Sequence, residues 1–136
     1  MSLAAPAVVR DSDAWHPRGV PDNLDLRVDS WLTLQQAADE LGVSATKVRQ
    51  LVREHQLAAV RREDLREPAV PAEMLQDGVV VKGLTGTLVV LADHGFSDAE
   101  SIEWLFTADE SLPGRPIDAL REDRGREVRR RAQAII

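Results

Sequence analysis

The sequence predicts a mainly α fold: a helix-turn-helix with a small β-hairpin wing, then a small helical carboxy-terminal module packed with it or linked to it. Three observations carry this. Two short amphipathic patterns meet at Gly42, two runs of extended-type residues flank a charged tip, and helical apolar spacing resumes after Lys82. At 136 residues the chain has room for one ordinary domain or two very small ones sharing a core.

Residues 1–29 contain Pro6, Pro17 and Pro21 and show no sustained apolar period, so they are expected to be a disordered tail. Trp31, just before the first helix, is expected to staple that helix or pack between the two halves. A winged domain is assigned to 30–78. Within it Leu34, Ala37, Ala38 and Leu41 recur at helical spacing, and Thr33 with Gln36 has the form of a capping box that satisfies two amides at a helix start. Gly42 stops this helix because a left-handed residue there costs glycine nothing. Ser44 caps a second helix, whose Val48, Leu51 and Val52 face inward while Ala45, Thr46, Lys47, Arg49, Gln50 and Arg53 face outward. One helix fits the major groove of duplex DNA. Small residues at its start permit close approach, and Arg, Lys, Gln and Thr can donate to base edges or phosphates.

Strands are expected at 58–61 and 66–70, joined by the tip 62–65. Pro68 cannot donate to a ladder, which predicts an edge strand. Pro71 is expected to open a short helix at 72–76. Asp77-Gly78 reads as a turn and Val79-Val80-Val81 as an apolar link.

The helical module is assigned to 79–136. Leu84, Leu88, Leu91 and Ala92 predict a helix over 84–94 closed by Gly95, with His94 in its last turn. Ser97 and Glu100 form a capping box for a helix whose apolar face is Ala99, Ile102, Leu105 and Phe106, with Trp104 beside it as a core residue. A loop at 107–113, a short helix at 116–120 begun by Pro116, and a closing helix at 122–136 with Val128, Ala132 and Ile135 inward complete the chain.

Apolar residues make up 43 % and charged residues 29 %, the balance of a globular protein, and no run of about 18 apolar residues could span a bilayer. The first residues lack the basic start and long apolar centre of a signal peptide, so a cytoplasmic location is expected. With no cysteine, disulfides and thiolate metal sites are excluded. The net charge of −6 argues against a polyanion partner only until its distribution is seen. Between residues 44 and 66, Lys47, Arg49, Arg53, Arg61, Arg62 and Arg66 oppose Glu54, Glu63 and Asp64, a local +3 that leaves −9 for the rest. Such a patch binds DNA with a strong salt dependence.

WLTLQQAADELGVSATKVRQLVREHQLAAV, then a hairpin and VPAEML, resembles the winged helix-turn-helix of the MerR and excisionase type over about residues 31–75. The resemblance implies that the helix after Gly42-Val43-Ser44 enters the major groove and the wing follows a neighbouring backbone or minor groove. On this sequence the implied contacts are Ser44, Thr46, Lys47, Arg49, Gln50, Arg53, Arg61 and Arg62. The wing tip departs from the pattern, because phosphates repel Glu63 and Asp64. The run WLFTADESLPGRPIDALREDRGREV resembles the carboxy-terminal domain of Xre-type antitoxins in Trp104-Leu105, Leu112-Pro113-Gly114-Arg115-Pro116 and the segment from Gly125 to Val128. That likeness implies a protein partner or self-association through the module. The whole arrangement looks like a family of small actinobacterial winged-helix DNA-binding proteins.

The function expected is therefore binding of double-stranded DNA in transcription regulation, on the nucleoid when bound. The alternative is a non-enzymatic adaptor between proteins that uses the carboxy-terminal module. No enzyme, cofactor or metal is expected: His16, His55 and His94 have no recognisable ligand spacing. Arg121, Arg124, Arg126, Arg129, Arg130 and Arg131 read as a solvated basic helix.

Overall fold

The computed structural model describes residues 27–62, 67–109 and 114–135, excepting the Arg62 side chain. The expected tail up to residue 26, residues 63–65 of the expected wing tip with Arg66, and Leu112-Pro113 lie outside them. The described chain runs β1 (Trp31–Thr33), α1 (Leu34–Leu41), α2 (Ala45–Arg53), β2 (Val60–Arg62), β3 (Glu67–Pro71), a 3-10 turn (Ala72–Met74), β4 (Leu75–Gln76) and β5 (Val79–Val80). Then follow α3 (Leu84–Asp93), α4 (Asp98–Leu105), α5 (Pro116–Arg121) and α6 (Gly125–Gln133).

The local signals act as expected around the first two helices. The Thr33 hydroxyl accepts the Gln36 amide at 3.1 Å while Gln36 Oε1 accepts the Thr33 amide at 2.9 Å. Gly42 takes φ +72°, and the Gly42 and Val43 amides both turn back to the Ala38 carbonyl. Ser44 Oγ then accepts the Lys47 amide at 3.1 Å and starts α2. Leu34, Ala37 and Ala38 of α1 meet Val48 and Leu51 of α2 in the core.

The wing differs from expectation in its pairing. β3 is the centre of a three-stranded antiparallel sheet of order β1-β3-β2, not an edge. Trp31 lies in β1 opposite Pro71, a strand of three residues too short to show alternation. Pro68 is tolerated at the centre because pairing with β1 ends at Ala69; among the described residues no strand lies opposite Pro68 on that side. Pro71 closes β3 and leads into the 3-10 turn, so the helix expected at 72–76 is that turn followed by β4. Val79-Val80 is β5, paired with β4 through a two-residue turn at Asp77 (φ 55°) and Gly78 (φ 80°), the left-handed pair such hairpins require. The hairpin straddles the boundary expected between residues 78 and 79.

In the second half, Ser97 and Glu100 cap α4 reciprocally and Pro116 opens α5. The closing helix is shorter than 122–136, starting at Gly125, and Ile135 beyond its end is only partly buried. α3 and α6 cross where a glycine faces a glycine. A Cβ on Gly83, itself at φ +87°, would stand 3.3 Å from Gly125 Cα and 3.2 Å from Leu120 Cδ2.

One apolar cluster joins both halves: Val48, Leu57 and Met74 share it with Leu84, Ile102, Phe106 and Leu120. The alternative left open by the sequence is thus decided for packing over linkage. Val28 belongs to the same cluster at 3 % exposure, and Arg27 Nη1 donates to Thr107 Oγ1 at 3.1 Å. Residues 27 and 28 therefore belong to the fold, not to a tail. A deletion ending at residue 29 should cost about 1.5–3 kcal/mol more than one ending at residue 26, the contribution of a buried valine. Thermal melts of the two truncations measure the difference.

Candidate nucleic-acid interface

The outward side of α2 is where the sequence-predicted residues gather. Thr46, Lys47, Arg49 and Arg53 are exposed. The buried Val48 and Leu51 pin the opposite side of the helix, which fixes the direction of these four. Among the described residues, Lys47, Arg49 and Arg53 have no ion-pair partner, so the three cations are available to an external anion. Ser44 is exposed but its hydroxyl oxygen is committed to the cap. Gln50 is half-buried, and its Nε2 donates to Glu54 Oε2 at 3.0 Å. Glu54 also accepts from Gln56 Nε2 at 3.0 Å, so the acid at the end of α2 is held by two amides.

The wing root brings Arg61 to the surface. Val60 is buried and pairs with buried Ala69, so the next residue, Arg61, points outward opposite Pro68. Arg62 continues β2 opposite Glu67; its side chain lies outside the described part, as do Glu63 and Asp64. Wing and carboxy-terminal module are tied just before β2, where the Ala59 amide donates to Asp98 Oδ2 at 3.1 Å. Burial pushes the Asp98 carboxyl above its ordinary value, against the lowering effects of the Ala59 amide and of His55. Because the folded value is raised, this group's contribution is greatest below the ordinary carboxylate range and declines as pH rises through the folded value. Asp98→Asn, which keeps an acceptor without the charge, should gain on the parent as pH rises toward neutrality. Asp98→Ala should cost about 1–3 kcal/mol by leaving the Ala59 amide without an acceptor. Urea melts across pH check both.

The sequence reading missed the residues that hold the interface to the module. Arg115 Nη2 reaches Glu73 Oε2 and Asp118 Oδ1, both at 2.8 Å, while its Nη1 donates to the Arg27 carbonyl at 3.3 Å. Its guanidinium also lies 5.2 Å from the centre of the Phe106 ring. Arg121, expected in a solvated stripe, instead donates to the Glu73 and Leu75 carbonyls at 2.7 and 2.9 Å. Only the spacing of Arg115 and Asp118 at a helix start hinted at this.

Comparison with known proteins agrees with this two-part build. Residues 20–75 match the family described as DNA-binding protein Rv2175c, wHTH domain, and residues 81–135 match the Rv2175c C-terminal domain of unknown function. The chain belongs to the Rv2175c family. DNA-binding protein Rv2175c of Mycobacterium tuberculosis (strain ATCC 25618 / H37Rv) is 42 % identical over 115 residues, 75 % of this chain and 77 % of that one. The NMR structure of Rv2175c superposes with a TM-score of 0.70 at 41 % identity, covering 77 % of this chain and 80 % of that one. The family boundary leaves residues 76–80 between the two matched segments: Gln76 of β4, the turn and β5. Among the described residues, no helix of this Rv2175c-family chain is long and apolar enough to cross a membrane.

Proposed function

We propose that this chain binds double-stranded DNA as a transcriptional regulator, with α2 in the major groove. The observation that carries the reading is that Lys47, Arg49 and Arg53 of the second helix are exposed and have no ion-pair partners among the described residues. The relative named as a DNA-binding protein supports it. Lys47, Arg49 and Gln50 address base edges, Gln50 after exchanging its bond to Glu54, and Thr46 lies beside them. Arg53, farther from the helix start, addresses phosphate, and Ser44 places the first turn of α2. Arg61 and Arg62 set the wing against a neighbouring backbone, as in the MerR-type arrangement. Action on chromosomal DNA places the protein in the cytoplasm, on the nucleoid when bound.

Arg49→Ala should cost about 1–3 kcal/mol on a preferred site and relax discrimination at one base. Arg53→Ala should weaken all sequences alike and reduce the salt slope by about one. Fluorescence anisotropy across a salt series reads both, with circular dichroism as the folding control. If both folded variants bind like the parent, the groove assignment fails; a parent that binds no duplex at low salt selects the adaptor reading instead. Selection from random duplexes would define the preferred site. Paired half-sites in that selection would support self-association through the carboxy-terminal module, as the antitoxin likeness implies.

A further inference from the structure

The arginines of the carboxy-terminal module fall into two groups. Arg115 and Arg121 are tied to the winged half, and Arg124 is tied to Glu122 at 3.0 Å and Glu127 at 3.2 Å. Arg126, Arg129, Arg130 and Arg131 are exposed and have no ion pair among the described residues, in a chain with 23 acidic residues. Glu127, the one acid within α6, is engaged by Arg124 and does not offset them.

Three of the free arginines and one amide make a straight row. Val128 and Ala132 are buried, so Arg126, Arg129, Arg130 and Gln133, at i, i+3, i+4 and i+7, lie together on the other side of α6. Like charges at this spacing cost an isolated helix some stability, which the helix dipole offsets for Arg130 in the last turn but not for Arg126 in the first. Arg129 also lies along α3: a Cβ at Gly86 would stand 3.2 Å from its Nη1 and 3.5 Å from its Cδ. The glycine leaves room for this side chain to rest on the helix, which restricts the guanidinium before any ligand arrives. The three arginines span about 6 Å at helical rise, comparable with the roughly 7 Å over which three successive phosphates of one strand advance along the duplex axis. From residue 122 onward, five arginines against Glu122, Asp123 and Glu127 give a local +2, beside the +3 between residues 44 and 66.

We propose that Arg126, Arg129 and Arg130 of α6 form a second, sequence-independent contact with the phosphate backbone of duplex DNA. This deepens the reading of the chain as a DNA-binding protein and rests on it. It also answers the repulsion from a body of net charge −6, because each added phosphate contact releases counterions.

The test is the variant Arg126→Gln, Arg129→Gln, Arg130→Gln, which keeps helix propensity and changes no buried residue. Against fluorescein-labelled duplexes, the slope of log K with log salt should fall by about 2–3 relative to the parent, equally for preferred and random sequences. With Lys47, Arg49 and Arg53 replaced by alanine, a residual low-salt binding without sequence preference should remain, and it should vanish when the three glutamines are added. A folded triple variant with the parent's slope overturns the inference while leaving the α2 reading intact, and makes an acidic protein surface the alternative partner of the row. A parent that binds no duplex at low salt overturns both.

Discussion

Replacing Arg115 with alanine should destabilise the whole chain by about 3 kcal/mol or more, the cost of removing one member of a partly buried ion-pair network. Arg115 and Glu73 are only 22 % and 24 % exposed, and they join residues 42 positions apart, one from each half. Without the guanidinium, Glu73 keeps a half-buried carboxylate with no cation, and the Arg27 carbonyl loses a donor. The loss should depend on pH. The hydrogen bond from Arg115 is the largest influence holding the Asp118 carboxyl below its ordinary value of 3.8. A carboxyl so depressed adds stability above that value and gives it up as pH falls through the folded value. The gap between parent and Arg115→Ala should therefore be steady near neutrality and shrink below about pH 4. Denaturant melts at several pH values would show it; a gap that does not change with pH would contradict the role given to Asp118.

Phe106→Ala should cost about 3–5 kcal/mol, the usual loss for a buried aromatic. Phe106 caps α4 at 2 % exposure, contacts the shared core, and lies under Arg115. Trp104, expected from the sequence to be a core residue, is only partly buried at the margin of the cluster. Trp104→Ala should accordingly cost clearly less than Phe106→Ala. Paired urea titrations rank the two, and the reverse order would place the tryptophan in the core after all. The Phe106→Ala and Arg115→Ala losses should also fail to add, since the ring and the guanidinium touch.

What could be read from the chain was local. The capping box of Thr33 and Gln36, the left-handed Gly42, the Ser44 cap and the Asp77-Gly78 turn each involve residues within a few positions of one another. Their chemistry is complete before any tertiary contact forms, so residue type and spacing sufficed. The same holds for the outward direction of Lys47, Arg49 and Arg53, set by the inward Val48 and Leu51. Gln50 shows the limit: its position on α2 was legible, its bond to Glu54 was not.

The rest was decided by pairs distant in sequence. β1 is three residues long and exists because β3, about 40 positions on, lies beside it. The place of Pro68 on a central strand follows from where β1 stops, which no rule about proline alone could show. Val28 belongs to the core cluster that both halves share, although its own segment has no period. Arg115 reads in sequence only as part of the Leu112 to Pro116 element and Arg121 as one cation of a solvated basic helix, yet partners 42 to 48 residues away make them the ties between the halves. The sequence alone determined the local turns and helix faces, because a cap or an apolar stripe is satisfied within a few residues. Tertiary structure alone decided which charges are structural and which remain free for a ligand, because that depends on what packing brings within hydrogen-bond reach.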